Sequence, residues 1–172
     1  ELVSISVQPE DSIIETFTTP GTFTWTVPNG VNNIKVEAWG GGGGSESLVG
    51  CGTFFPNSGG GGGAYSRVNN LFVSPQTNYT FTVGAGGAGG ICNSVAVTDG
   101  GLSKFGMVGN DLVLARGGFR GVNTGAADPL GGAGGGALSG IGDAKFSGGY
   151  GGDVMGGGGG SGCRCHEEER HR

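Results

Sequence analysis

Two blocks of five consecutive glycines, at residues 40–44 and 59–63, constrain the fold of this chain more than any other feature. Trp39 comes directly before the first block, and Ala64 and Tyr65 come directly after the second. Because glycine lacks a Cβ atom, such blocks let backbones approach one another closely but contribute no side chains to a core. We therefore interpret them as extended glycine helices packed against a β-domain, rather than as an ordinary loop.

Glycine is also distributed unevenly along the chain. It makes up 44 of the 172 residues, about a quarter, compared with ~7% in average proteins. Residues 1–39 contain only Gly21 and Gly30, whereas residues 117–162 contain 21 glycines in 46 positions. No strict Gly-X-Y period is present, which excludes collagen. The chain therefore begins as an ordinary globular sequence and becomes glycine-dominated towards its end.

The first third of the chain shows the alternation that is typical of half-buried β-strands. Phe23, Trp25 and Val27 share one face of a predicted strand, and the intervening threonines share the other. No segment has a helical apolar period, and the short strands recur at intervals of roughly ten residues, which favours an all-β sandwich. Further strands are predicted at residues 3–7, 34–38, 65–73, 79–83, 95–97, around Phe105, and at 112–115.

This pattern predicts three regions. Residues 1–116 form an antiparallel β-sandwich with glycine-rich insertions at 40–63 and 84–90. Residues 117–162 form a glycine-rich bundle packed on it, and residues 163–172 form a charged Cys/His tail. A flexible linker is the alternative for 117–162. If this region is ordered, backbone hydrogen bonds between neighbouring polyglycine-II-type helices must supply most of the order, because apolar side chains are sparse there.

The charge and hydropathy of the chain argue against two kinds of partner, nucleic acid and the membrane interior. The net charge is −5, and only nine Lys and Arg residues are present. Phosphate binding needs a basic face, so nucleic acid is not expected as the main partner. No apolar run approaches the ~20 residues that span a bilayer, so membrane insertion is not expected either.

The chain has an even number of cysteines: Cys51, Cys92, Cys163 and Cys165. In the extracellular setting that we expect, they suggest two disulfides. Three connectivities are possible. We favour a Cys51–Cys92 pair, since both lie in glycine-rich loops that follow predicted strands. For Cys163 and Cys165, a disulfide within the chain or to a neighbouring subunit is favoured over zinc bound with His166 and His171, because the single-residue gap between these cysteines is unusual for a metal site.

Catalytic and cofactor chemistry is not indicated. The glycine runs contain no phosphate-binding Gly-x-x-x-x-Gly-Lys-Ser/Thr motif. Both histidines, His166 and His171, lie in the last seven residues, which makes a Ser-His-Asp site hard to build. We expect no enzyme activity, cofactor or metal. Asn78 begins an Asn-Tyr-Thr sequon, a candidate glycosylation site inside a predicted strand.

The order of these motifs resembles the glycine-rich domain of bacterial secreted proteins and of phage tail-fibre and adhesin proteins. The segments that carry the resemblance are residues 17–28, 34–40, 60–65, 82–87, 99–105 and 114–118. The same order is similar to the glycine-rich extracellular region of anaplastic lymphoma kinase, where a jelly roll carries packed polyglycine helices. The resemblance covers about residues 15–118. It implies a jelly-roll-like sandwich and a non-enzymatic role, and it transfers no binding residues.

Two functions follow as hypotheses. In the first, the chain is a secreted or surface-exposed subunit that associates with copies of itself into a fibre, filament or matrix. Sheet edges and glycine segments present unpaired backbone groups that a neighbouring chain can complete. The N-terminal strand, with Val3, Ile5 and Val7 on one face, is then a candidate donor strand.

In the second hypothesis, the chain is an adhesin module of a phage tail fibre or of a bacterial surface protein. Loops that join the glycine helices would contact a cell-surface receptor or glycan. The candidate recognition residues are Phe54, Phe55, Phe119 and Arg120. The alternative for these residues is that they cap the core of the bundle.

Overall fold

The computed structural model describes residues 14–46, 58–90, 96–122 and 130–153. Several predicted features lie outside these residues. They are the candidate donor strand with Val3, Ile5 and Val7, the loop residues Phe54 and Phe55, and the four cysteines Cys51, Cys92, Cys163 and Cys165.

The described chain contains seven strands and one short 3₁₀ turn at Ala137–Ser139. The strands are β1 (Gly21–Thr26), β2 (Asn33–Trp39), β3 (Tyr65–Phe72), β4 (Asn78–Val83), β5 (Ser103–Met107), β6 (Asn110–Ala115) and β7 (Ala144–Phe146). They form two antiparallel sheets, with strand orders β1-β4-β5-β6 and β2-β3-β7. The prediction of an all-β, sandwich-like fold is confirmed.

The core forms between the two sheets, from the apolar faces of their strands. Phe81 of β4 lies opposite Phe23 of β1 and Phe105 of β5, so the alternating aromatics of three strands share one face. Residues of β2 and β3, including Ala38, join the same buried cluster from the other sheet. Full burial of an apolar side chain contributes ~1.5–3 kcal/mol, so this interface supplies the main apolar stabilisation.

Two details differ from the sequence-based expectation. No strand forms around Val97, since residues 96–102 lie outside both sheets. The reason is that Thr98 and Gly101 donate hydrogen bonds to Ala88 and Ala85, which belong to another glycine-rich segment rather than to a strand. The short strand β7 lies in a region without apolar alternation, and it forms because its backbone pairs with β3.

Seven glycine-rich segments leave or enter one end of the sandwich. In chain order we call them segments 1 to 7: residues 40–46, 58–64, 84–90, 96–102, 116–122, 130–136 and 147–152. Segments 1, 3, 5 and 7 each follow a strand directly. Segments 2 and 4 each lead directly into a strand, and segment 6 leads into the 3₁₀ turn before β7. The strand ends therefore gather all seven described segments on one side.

Hydrogen bonds between these segments recur every three residues. Segment 1 donates to segment 2 over N···O distances of 2.8–2.9 Å: Gly40 to Ala64, Gly43 to Gly61 and Glu46 to Ser58. The next positions along segment 1 donate to segment 4: Gly41 to Gly101 and Gly44 to Thr98. Successive residues of segment 1 therefore donate hydrogen bonds to different neighbouring segments.

The hydrogen-bond partners arrange the described segments in two rows. One row has the order 3-1-2-7, and the other has the order 4-5-6. Segment 4 bonds to segments 3 and 1, segment 5 to segments 1 and 2, and segment 6 to segments 2 and 7. Each segment of the second row therefore sits against two segments of the first, and the bundle is a two-layer slab held by backbone hydrogen bonds.

Close backbone approach explains why glycine is needed in the slab. A Cβ atom added to Gly118 would lie 2.0 Å from the carbonyl oxygen of Gly61. One added to Gly61 would lie 2.0 Å from the carbonyl oxygen of Ala133. These are backbone atoms, which cannot move aside as a flexible side chain can. Gly86 differs, because a Cβ there would meet nothing within 4 Å.

We predict that Gly118→Ala lowers the free energy of unfolding by at least ~1–3 kcal/mol, the usual cost of overpacking. The matched control is Gly86→Ala, which should leave stability unchanged or raise it by ~0.4–1 kcal/mol, since its unfolded chain loses freedom. Denaturant unfolding followed by tryptophan fluorescence measures both. Equal stabilities of the two variants would contradict the packing described here.

Candidate interaction surfaces

The predicted recognition residues Phe119 and Arg120 both lie in segment 5 and are exposed. They are not in a turn. The Phe119 N–H donates to Ala133 at 2.8 Å, and its carbonyl accepts from Gly61 at 2.8 Å. The Arg120 N–H donates to an Asp99 carboxylate oxygen at 2.9 Å. The backbone at this position is therefore fixed inside the slab, while the side chains remain accessible.

Three apolar side chains lie near the end of the slab far from the sandwich, and we call them the bundle patch: Phe119, Val122 and Leu130. They are 54%, 46% and 54% exposed, respectively. Val122 and Leu130 exchange two backbone hydrogen bonds of 2.9 Å, so segments 5 and 6 hold them side by side. Phe119 and Val122 are three residues apart, the same spacing at which hydrogen bonds recur in the slab.

The edge strand β1 is the least protected edge in the described sheets. It pairs with β4 on one side, and its sequence, Gly-Thr-Phe-Thr-Trp-Thr, carries no charge. Edge strands of native proteins are commonly guarded by charges, bulges or covering segments, because an open edge invites another strand to pair. Within the described residues, β1 itself carries no charge and no second strand pairs with it, although the preceding segment lies close: Glu15 accepts a hydrogen bond from Trp25, and the Phe17 ring lies beside that of Phe81.

The other edges are guarded. β2 carries Lys35 and Glu37, and its register shifts between Ile34 and Val36. On β6, Leu114 exchanges hydrogen bonds of 2.9 and 3.0 Å with Ile141, which covers that edge. β7 is only three residues long. The contrast singles out β1 as the edge on which a further strand could add.

A row of three aromatic rings crosses the sheet β2-β3-β7, and we call Trp39, Tyr65 and Phe146 the aromatic row. Trp39 pairs with Tyr65 across β2 and β3, and Tyr65 pairs with Phe146 across β3 and β7. The ring centroids are 5.1 Å and 5.9 Å apart. Trp39 is 59% exposed and Phe146 58% exposed. Large apolar surfaces left open in this way mark interaction sites.

Charged side chains border the aromatic row. The Tyr65 hydroxyl donates to Glu37, and Lys35 Nζ lies 2.8 Å from the same carboxylate. The bond from Lys35 and then that from Tyr65 lower the pKa of Glu37. Burial and then the bond to Glu37 raise the pKa of Tyr65. Arg67 lies next to Tyr65 along the strand direction, opposite Glu37, and its Nε is buried without an acceptor.

The sequence contains a signal for part of the aromatic row. Trp39 lies one residue before the first glycine block, and Tyr65 lies two residues after the second. If the blocks lie antiparallel, the flanking residues must meet on neighbouring strands. Phe146 had no comparable signal, since its position depends on the pairing of β7 with β3.

The sequon residue Asn78 is exposed at the start of β4, and its side-chain oxygen accepts a 2.7 Å hydrogen bond from Thr26.

Within residues 14–46, 58–90, 96–122 and 130–153, no group of three or more His, Cys, Asp or Glu side chains is placed to hold a metal ion. No helix in this part of the chain is long and apolar enough to cross a bilayer.

Two antiparallel sheets with a glycine slab at one end define an all-β protein built around glycine segments. A family model described as a glycine-rich domain matches residues 18–168. The chain therefore belongs to the glycine-rich domain family. The match extends from just before β1 to well beyond β7, so it includes all seven strands and all seven segments. No curated protein matches the chain.

We predict that acid weakens the sheet at Glu37. Because the pKa of this carboxyl is lowered in the folded state, its stabilising effect is complete above its ordinary value of 4.5 and is lost as the pH falls through the lowered value. The effect is small, because exposed ion pairs contribute ~0–1 kcal/mol.

Thermal unfolding measured across the acidic range tests this. Glu37→Gln should flatten the loss of Tm at low pH, and Tyr65→Phe, which removes one of the two hydrogen bonds, should flatten it partly. An unchanged pH profile in Glu37→Gln would show that other carboxylates cause the acid loss.

Proposed function

We propose that this chain is a non-enzymatic extracellular structural protein that associates with copies of itself into a surface fibre, filament or matrix. The observation that carries the proposal is the edge of β1, which is uncharged and pairs with no second strand within the described residues, whereas the other sheet edges are guarded. A strand added at such an edge gains main-chain hydrogen bonds along its whole length. The extracellular setting is supported by the even number of cysteines.

We further propose that the seven segments are polyglycine-II-type helices and that the sandwich is of the jelly-roll type. The three-residue recurrence of hydrogen bonds within the slab supports the first part, since polyproline-II-type helices have about three residues per turn and no internal hydrogen bonds. The resemblance of the motif order to known glycine-rich domains supports the second. A slab of this kind would make each subunit a stiff unit of a fibre.

The proposed donor is the N-terminal strand with Val3, Ile5 and Val7. Its uncharged, alternating sequence is suited to pair with β1 of a second copy. The described segment that leads into β1 makes two contacts with the sheet. Trp25 Nε1 donates to Glu15 at 2.9 Å, and the Phe17 ring lies 4.4 Å from that of Phe81. Addition of one copy's strand to the next is a head-to-tail contact, which generates open filaments when it does not close into a ring.

We predict that deletion of residues 1–8 abolishes filaments, and that Thr24→Lys, which places a charge on β1, has the same effect in the full chain. Thr24 is exposed, so the substitution should leave the fold intact. The matched control is Asn33→Lys, which adds the same charge to the exposed start of β2. Electron microscopy and sedimentation measure filament formation. Filaments that persist in Thr24→Lys would refute pairing at β1.

A second candidate function, a receptor-recognising adhesin of a phage tail fibre or bacterial surface, is favoured by the bundle patch. Its side chains project from a backbone held rigidly by hydrogen bonds on both sides. A pre-organised apolar surface of this kind binds a receptor with little ordering cost.

For this alternative we predict that Phe119→Ser lowers the adhesion of protein-coated beads to bacterial cells, because it removes the largest side chain of the patch. Leu138→Ser is the control, since Leu138 is also exposed but lies in the 3₁₀ turn. Bead counts by microscopy are the readout. Equal adhesion of both variants and the parent would argue against recognition through the bundle patch.

A further inference from the structure

We propose that residues 156–162 form an eighth glycine segment, which lies on the outer face of segment 2. The outer face of a first-row segment is the face turned away from the second row, 4-5-6. This contact is independent of strand addition at β1. It brings a part of the chain that lies outside the described residues onto the slab.

Segment 2 is buried more deeply than its described neighbours explain. Segments 1 and 2 are both built almost entirely of glycine, and each is hydrogen-bonded to four described segments: segment 1 to 2, 3, 4 and 5, and segment 2 to 1, 5, 6 and 7. Yet in segment 1 only Gly44 is buried, whereas in segment 2 every residue except Gly63 is buried. The additional burial of segment 2 therefore comes from chain outside the described residues.

A backbone donor of segment 2 indicates which face is covered. With about three residues per turn, N–H groups three positions apart point the same way. Gly59 and Gly62 donate to segment 7, and Gly61 and Ala64 donate to segment 5. The Gly60 N–H points in the third direction, and it has no acceptor among the described residues although Gly60 is buried. Since buried backbone N–H groups are almost always paired, we expect its acceptor on the outer face.

Close approach selects the occupant of this face. Segments of the slab lie so near one another that a Cβ atom at Gly60 or Gly63 would fall 2.0 or 1.9 Å from a carbonyl oxygen of segment 1. An added segment therefore needs a run of glycines. Outside the described residues only the part after residue 153 has one, with five glycines at 156–160 followed by Ser161 and Gly162. The other parts contain at most two glycines each: residues 1–13, 47–57, 91–95 and 123–129.

The course of the chain leads to the same place. Segment 7 lies beside segment 2, since Gly59 donates to Gly152 and Gly62 to Gly149, both at 2.8 Å. Segments 1, 3 and 5 run away from the sandwich, and each is followed by a segment that runs back to it. Segment 7 also runs away from the sandwich, so a segment after it would complete the pattern directly next to segment 2.

The length of the proposed segment fits the slab. Residues 156–162 number seven, as do the residues of each of segments 1 to 6, and seven residues at ~3.1 Å each span ~22 Å. The family match continues to residue 168, so this part of the chain belongs to the same domain. In this arrangement the eighth segment returns the chain to the sandwich, and the tail with Cys163 and Cys165 begins there rather than at the far end of the slab.

The test is amide hydrogen exchange, read residue by residue by NMR on the full-length chain carrying Thr24→Lys, which blocks strand addition. The Gly60 N–H should exchange at least about 100-fold more slowly than the Gly42 N–H. Gly42 is the matched control, because it has the equivalent position on segment 1, is only half-buried and has no acceptor among the described residues. Equal exchange at the two positions overturns the proposal.

A triple variant identifies the occupant. Gly157→Ala, Gly158→Ala and Gly159→Ala together put a Cβ atom on every face of the segment, so the Gly60 N–H should exchange at least about tenfold faster. The Gly61 N–H, which donates to segment 5, should stay protected and reports that the slab is intact. Unchanged exchange at Gly60 in this variant contradicts the assignment of residues 156–162 to the outer face.

Single substitutions provide a readout that does not need a soluble monomer. Of Gly157→Ala, Gly158→Ala and Gly159→Ala, at least one should lower the Tm by ~2 °C or more, because its Cβ atom meets segment 2. One that is turned to water should leave the Tm unchanged. The control is Glu168→Ala in the charged tail, which should have no effect. Three unchanged Tm values overturn the proposal.

Three other results would assign the outer face differently, and each would overturn the proposal. Loss of Gly60 protection on dilution assigns the face to the glycine block of a second copy. Loss of that protection in Val3→Ser with Ile5→Ser assigns it to the N-terminal strand, and loss in Phe54→Ser with Phe55→Ser assigns it to residues 47–57. An absence of filaments in the parent chain would refute strand addition at β1 and would leave all of these readings unchanged.

Discussion

The structure depends on close contact between backbones in the glycine slab. At several positions a Cβ atom would fall about 2 Å from a neighbouring carbonyl oxygen, as at Gly61 and Gly118. Many N–H groups of the slab donate to carbonyl oxygens of neighbouring segments at distances near 2.9 Å. Order in this region thus comes from hydrogen bonds and tight approach rather than from buried side chains. Glycine is the residue that permits both, because it has no side chain to hold the backbones apart.

The sandwich makes this slab possible. A single glycine segment would lose too much conformational entropy on ordering to be stable by itself. Here six segments continue directly from strand ends, and the seventh is joined to β7 by one short turn. The strands hold these chain ends next to one another, so the core of Phe81, Phe105 and their neighbours indirectly positions a region that has almost no core of its own.

The slab and the sheets expose different kinds of surface. In the slab, hydrogen bonds between segments hold the backbone, and a few side chains project from it, such as Phe119. The sheets offer an open strand edge at β1 and the exposed ring face of Trp39, Tyr65 and Phe146. The strand edge and the ring face therefore lie on different elements of the sheets.

The sequence by itself determined the class of fold. Alternation at residues 22–27 and 79–83 identified β1 and β4, since a half-buried strand imposes a period of two on its side chains. The glycine blocks also predicted close packing of backbones. The tertiary structure alone decided which segments are neighbours, that residues around Val97 join the slab rather than a sheet, and that Ala144–Phe146 forms a strand. These features depend on backbone groups, which are the same in every residue and therefore leave little trace in the sequence. The aromatic row lies between the two cases: its residues are visible in the sequence, but only strand pairing brings them together.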